Sequence, residues 1–110
     1  MDKRTVKRIK DFINSIANQN PKLVAAYLFG SYAKGNQNKD SDIDLALIFD
    51  DLNDNAKFDI QVQLMLEASK FDLRIEPHPF LREDFNSNNP FSAEILRTGI
   101  EIKPQKPKMV

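Results

Sequence analysis

Two aspartates one residue apart, Asp42 and Asp44, follow a Gly30-Ser31 pair after ten intervening residues. On an extended strand, side chains at i and i+2 face the same way about 7 Å apart. Ile43 then points to the opposite side, into a core. Two anions at that spacing repel by roughly 2 kcal/mol at an effective dielectric near 20. A hard divalent cation removes the repulsion and finds oxygen ligands in place. The segment Lys70-Phe71-Asp72-Leu73-Arg74-Ile75-Glu76 alternates strictly, with Asp72, Arg74 and Glu76 on one face and the apolar residues on the other. Placed beside the strand that carries Asp42 and Asp44, Asp72 completes a three-carboxylate cage for two Mg²⁺ ions. Glu76 shares that face and is the alternative third carboxylate. Such a cage activates an attacking oxygen and stabilises a departing pyrophosphate in an in-line displacement.

Gly30-Ser31 supplies the phosphate-handling half of this chemistry. A glycine at a strand-to-helix turn lets backbone approach a phosphate with no Cβ in the way. The amides beyond it and the Ser31 hydroxyl can then point at the anion. Lys34 and Lys39 lie within reach of a triphosphate, although lysines on a polar loop are commonly only solvated.

Other readings of these residues fare worse. Asp40-Ser41-Asp42-Ile43-Asp44 fits the start of a calcium-binding EF-hand loop, but position six is Leu45 instead of Gly, and position twelve is Asp51 instead of Glu. Gly30 and Gly35 have P-loop spacing, yet Asn36-Gln37 stands where Lys-Ser/Thr is required. The structural alternative for Asp72 is a salt bridge with Arg74 or a lysine. For Asp42 and Asp44 it is a solvent-facing strand edge. His78, between Pro77 and Pro79, could contact a base or an acceptor, or serve no function at all.

Gly30-Ser31-Tyr32-Ala33-Lys34-Gly35 followed by Ser41-Asp42-Ile43-Asp44-Leu45 resembles the signature of the DNA polymerase beta-like nucleotidyltransferase superfamily. Within it, the chain is similar to the minimal nucleotidyltransferases, over roughly residues 22–76. Phe71-Asp72-Leu73-Arg74-Ile75 resembles the strand bearing that superfamily's third carboxylate. The resemblance implies catalytic and metal-binding roles for Asp42, Asp44 and Asp72, and nucleotide contacts at Gly30, Ser31 and Lys34. It further implies Mg²⁺ dependence, ATP or another NTP as donor, and transfer of NMP, AMP above all, to an acceptor such as a partner-protein hydroxyl. Minimal members are encoded beside helical HEPN proteins, with the nucleotidyltransferase as antitoxin. The other class of function it leaves open is a non-catalytic module that binds nucleotide or toxin and neutralises its partner by complex formation.

Helices and strands must position these groups. Val6, Ile9, Phe12, Ile13 and Ile16 recur at helical spacing over residues 3–18, which Asn20-Pro21 ends. The apolar run 22–29 predicts a buried strand, with a short helix from Ser31 to Lys34. A second strand covers 42–49. Asp50 to Asn55 is a polar loop supplying caps to a helix over 56–69. A third strand follows over 70–76 and ends at Pro77-His78-Pro79. A helix from Pro90 to Thr98 stops at Gly99, and Ile100 to Ile102 adds an edge strand. The order α-β-α-β-α-β-α(β) predicts an α/β (α+β) fold, a small mixed sheet with flanking helices.

The chain's 110 residues allow one domain, assigned to 1–103, with 104–110 as a flexible tail. Sixteen Lys+Arg balance sixteen Asp+Glu, for a formal net charge of +0. That makes the chain a poor candidate for gripping a long nucleic-acid backbone. Without cysteine, disulfide scaffolds and thiolate metal sites are excluded. No apolar run is long enough to span a bilayer, and the start resembles no signal peptide. The expectation is a cytoplasmic protein with no membrane partner.

Overall fold

A computed structural model describes residues 1–52 and 57–105, with the side chains of 57 and 58 left aside. Helix α1 (Lys3–Gln19) begins where the Asp2 carboxylate accepts a hydrogen bond from the Thr5 amide at 2.8 Å. Its stripe of Ile9, Phe12, Ile13, Ile16 and Ala17 is buried, as the periodicity predicts. Strand β1 (Leu23–Phe29) leads through Gly30 into the single-turn helix α2 (Ser31–Lys34). Strand β2 (Ile43–Phe49) follows, then helix α3 (Lys57–Ser69) and strand β3 (Ile75–Leu81). After a short 3₁₀ turn, helix α4 (Pro90–Thr98) is capped by Asn89, whose side chain accepts from the Phe91 amide. The two-residue strand β4 (Ile100–Glu101) closes the series. The loop expected over Asp50–Asn55 and the tail expected over 104–110 fall partly outside the described residues, at 53–56 and 106–110.

The strands form a four-stranded sheet in the order β3-β2-β1-β4. β1 runs antiparallel to β2 and β4, and β2 runs parallel to β3, so the sheet is mixed as predicted. Ile43, Leu45, Leu47 and Phe49 of β2 are fully buried in a core with α1 and α3. Ala46 and Ile48 face the other way, into a smaller core with Ile95 of α4 and the partly buried Tyr27, Phe29, Phe80 and Phe85. A register shift between Leu23 and Ala25 lets both Leu23 and Ala26 turn to the larger core.

The third strand departs from expectation. The alternation predicts it over 70–76, whereas it lies over Ile75–Leu81 and passes through both prolines. Residues 70–75 instead leave α3 in successive turns: the Asp72 amide bonds the Ala68 carbonyl, and the Ile75 amide bonds the Asp72 carbonyl. Leu73 is 86% exposed, whereas Phe71 and Ile75 on either side of it pack on the larger core, so the alternating residues are split by the turns and do not line one face of a strand. The prolines are tolerated because β3 is an edge strand. The Arg74 carbonyl accepts from Ile43 of β2. By strand alternation, the backbone groups of 76, 78 and 80 also face β2. Pro77 and Pro79 then turn their donor-less nitrogens to the open edge, where the Pro77 carbonyl accepts from Gln61 of α3 at 3.0 Å.

Candidate active site

The Asp44 face of the sheet collects the reactive side chains. In the parallel register Asp44 pairs with Glu76 and Ala46 with His78, and across β1 Phe29 pairs with Asp44. One ligand atom from each of Asp44, Glu76 and His78 lies within 4.8 Å of the other two. His78 Nε2 is 3.2 Å from Asp44 Oδ1, and the His78 ring packs on Phe29 with centroids 5.2 Å apart. Asp44 and His78 are partly buried, and Glu76 is exposed.

Gly30 sits against this group. Its backbone has φ 73° and ψ −152°, and a Cβ there would lie 2.5 Å from Asp44 Oδ2. Only glycine allows both that conformation and that approach. Ser31 opens α2, and Gly35 closes it in the left-handed region with its amide on the Ser31 carbonyl. Lys34, exposed in the last turn of α2, lies near enough to Glu94 of α4 to help lower that carboxyl, after the larger effect of a hydrogen bond from Arg97. Ile95 of α4 packs with Ala46 and Ile48 of β2 on the Asp44 side of the sheet.

Asp42 immediately precedes β2 and is exposed, outside the 4.8 Å group. Asp72, expected beside it as the third carboxylate, is placed elsewhere. It lies in the turn before β3, and its side chain is only 7% exposed. Asp72 accepts hydrogen bonds from the Arg74 amide, from Arg74 Nε and Nη2, and from Arg8 Nη1, all at 2.8–3.0 Å. The Arg74 guanidinium holds this carboxyl far below its ordinary range, with Arg8 adding to the effect and burial opposing it. Arg74 also donates to the Tyr32 hydroxyl at 2.7 Å and to Thr5 Oγ1 at 3.3 Å. Asp72 thus orients the arginine that ties α2 to α1 and to the start of β3.

The structure therefore brings Gly30 against Asp44 and sets Glu76 and His78 around it, whereas Asp72 serves an ion pair. Sequence alternation had already put Glu76 on the Asp72 face. What it lacked was the start of β3, which decides which residue pairs with Asp44. The approach of His78 to Asp44 had no signal in the sequence beyond its two-residue offset from Glu76.

A mixed sheet with acidic groups on adjacent strands beside a glycine turn defines a class of small α/β domains. Within that class the chain belongs to the polymerase beta nucleotidyltransferase family, whose model matches residues 11–108. Over 76 residues it is 38% identical to the protein adenylyltransferase MntA of Shewanella oneidensis, a match that takes in 68% of this chain and 48% of that protein. The chain thus spans about half the length of this curated relative. A Sulfolobus solfataricus protein described as a nucleotidyltransferase shares the fold, with TM-score 0.64 and 22% identity over 89% of this chain and 78% of the other. A toxin–antitoxin structure with AMP-PNP aligns with TM-score 0.55 and 26% identity, over 93% of this chain and 72% of its own. Among the described residues no helix is long and apolar enough to cross a membrane.

Proposed function

We propose that this chain transfers AMP from ATP to a hydroxyl of a partner protein, as the antitoxin of a HEPN-type toxin–antitoxin pair. The observation that carries the reading is the pairing of Asp44 with Glu76 on adjacent strands, with the Gly30 turn closed against Asp44. An MntA relative described as a protein adenylyltransferase and a toxin–antitoxin neighbour containing AMP-PNP support the choice of donor and partner.

The donor set is hard oxygen from carboxylates, which fits Mg²⁺. Asp42, Asp44 and Glu76 would hold it, with Glu76 in the role the sequence had offered to Asp72. When bound, Mg²⁺ neutralises charge on the triphosphate and lowers the pKa of a ligated hydroxyl. The Gly30-Ser31 turn seats the phosphates, Ser31 donates a hydrogen bond, and Lys34 adds a positive charge. The acceptor oxygen attacks the α-phosphorus as the bond to the bridging oxygen of pyrophosphate breaks. Glu76, the most exposed of the grouped carboxylates, takes the acceptor's proton. The products are an AMP–protein phosphodiester and pyrophosphate.

Incubation with ATP labelled at the α-phosphate, Mg²⁺ and the co-purifying helical partner tests this. Label should appear on the partner and fall at least about 100-fold with Asp42→Ala, Asp44→Ala or Glu76→Gln, as expected when catalytic groups are removed. Labelling that survives Asp44→Ala overturns the proposal. Neutralisation of the partner that survives Asp42→Ala and Asp44→Ala would instead assign a stoichiometric binding module.

A further inference from the structure

We infer that His78 is itself a metal ligand, and that its imidazole makes the site prefer Mn²⁺, or a similar first-row transition cation, to Mg²⁺. The inference rests on the reading of Asp44 and Glu76 as cation ligands and extends it to a residue with no part in the transfer chemistry above.

Geometry is the first argument. Metal–ligand bonds near 2.1 Å at right angles place neighbouring donor atoms about 3.0 Å apart. His78 Nε2 and Asp44 Oδ1 are already 3.2 Å apart, and a Glu76 oxygen completes a group whose members all lie within 4.8 Å. With these three residues as ligands, a six-coordinate cation would still have positions for water and phosphate oxygens.

Rigidity is the second. A solvated histidine would sample many rotamers, but this ring is held. Pro77 and Pro79 fix φ on either side of it. The backbone pairs in register with Ala46, and Phe29 packs against the ring. These restraints keep Nε2 turned toward Asp44.

Donor chemistry is the third. Mg²⁺ demands oxygen ligands and gains little from nitrogen. Neutral imidazole suits Zn²⁺, Fe²⁺ and Ni²⁺ above all; Mn²⁺, the weakest of the series and otherwise oxygen-seeking, still accepts nitrogen more readily than Mg²⁺, so one imidazole beside two carboxylates tips the site toward it. Ligation uses the tautomer that carries its proton on Nδ1, which leaves the Nε2 lone pair for the cation. A His78 that only hydrogen-bonds Asp44 would confer no such preference.

Metal titration of the whole chain decides between the two roles. The free Mn²⁺ signal in electron paramagnetic resonance gives the dissociation constant, Mg²⁺ competition gives the selectivity, and pulsed measurements report ¹⁴N coupled to bound Mn²⁺. The wild type should show that coupling and favour Mn²⁺. His78→Gln should lose the coupling and at least about tenfold in Mn²⁺ affinity, while Mg²⁺ affinity moves less than about threefold. His78→Ala provides the same readings without a replacement polar group. Absence of ¹⁴N coupling in the wild type, or an unchanged Mn²⁺/Mg²⁺ ratio in both variants, overturns the inference. Asp44→Asn separates this outcome from failure of the transfer reading. If it abolishes Mn²⁺ binding and labelling while the His78 variants change neither, the transferase stands and the histidine ligand falls. If Asp44→Asn leaves metal binding intact, both fall.

Discussion

Asp72 and Glu76 show how one carboxylate becomes structural and its neighbour becomes available for chemistry. Asp72 is enclosed and accepts from two arginines and a backbone amide, so its charge is already neutralised. Glu76 is exposed and stands beside another acid. Removing the first charge should therefore cost stability, because it leaves Arg74 without its main partner. Asp72→Asn is expected to lower the unfolding free energy by roughly 1–3 kcal/mol, at the modest end because Arg74 stays partly solvated. Partner labelling at low temperature should persist. The pH dependence follows from the lowered carboxyl. The unfolded chain takes up this proton near the ordinary value of 3.8, whereas the folded chain resists it. Stability from this group is thus complete above about pH 5 and declines as pH falls through 4 and below. Urea unfolding from pH 7 to pH 3 should show the gap between wild type and Asp72→Asn narrowing on the acid side. A gap that stays constant to pH 3 would mean that the carboxyl is not held low.

At the level of elements, the β1–α2 turn carries the heaviest constraint. Gly30→Ala must adopt a conformation reserved for glycine and push a methyl group onto the Asp44 carboxylate. It should cost at least about 1–3 kcal/mol in denaturant titrations and depress labelling. Gly35→Ala is the comparison. Its φ of 75° is also left-handed, but nothing lies within 4 Å of the added methyl. It should cost about 1–2 kcal/mol and leave the chemistry near wild type. Equal loss of labelling in both variants would show that the contact with Asp44 is irrelevant. This turn was legible in the sequence because an apolar strand runs straight into Gly30, which itself takes the cap position with no side-chain cap bond, and local conformation decides the outcome. The helices were legible for the same reason: the Ile9–Phe12–Ile13–Ile16 stripe and the Asn89-Pro90 start each follow from local spacing. β3 was not, because its position depends on a non-local pairing. Phe71, Leu73 and Ile75 alternate as a strand would, yet that stretch turns off α3. The prolines that seemed to end a strand lie inside one, since only the tertiary arrangement reveals which edge is open. The third carboxylate shifted with the strand.

For the whole molecule, the site couples to folding through like charge. The fold brings Asp44 and Glu76 together on neighbouring strands, an arrangement that opposes folding until a cation or phosphate-bound cation neutralises it. A ligand that binds only the folded chain adds RT ln(1 + [L]/Kd) to its stability. At ten times the dissociation constant this is about 1.4 kcal/mol, on the order of 6 °C for a domain of this size. ATP with Mg²⁺ or Mn²⁺ should therefore raise the melting temperature by several degrees, and excess chelator should return it to the metal-free value. Asp44→Asn should reverse the pattern. Without metal it should melt at or above the wild-type temperature, because a repulsion has gone while the oxygen facing His78 remains. With metal and ATP it should gain little. Thermal unfolding of both proteins in chelator and in metal–nucleotide gives four melting temperatures that decide the matter. A metal-free Asp44→Asn that melts well below wild type would identify Asp44 as a structural partner of His78, and its charge would no longer be available to explain cation binding.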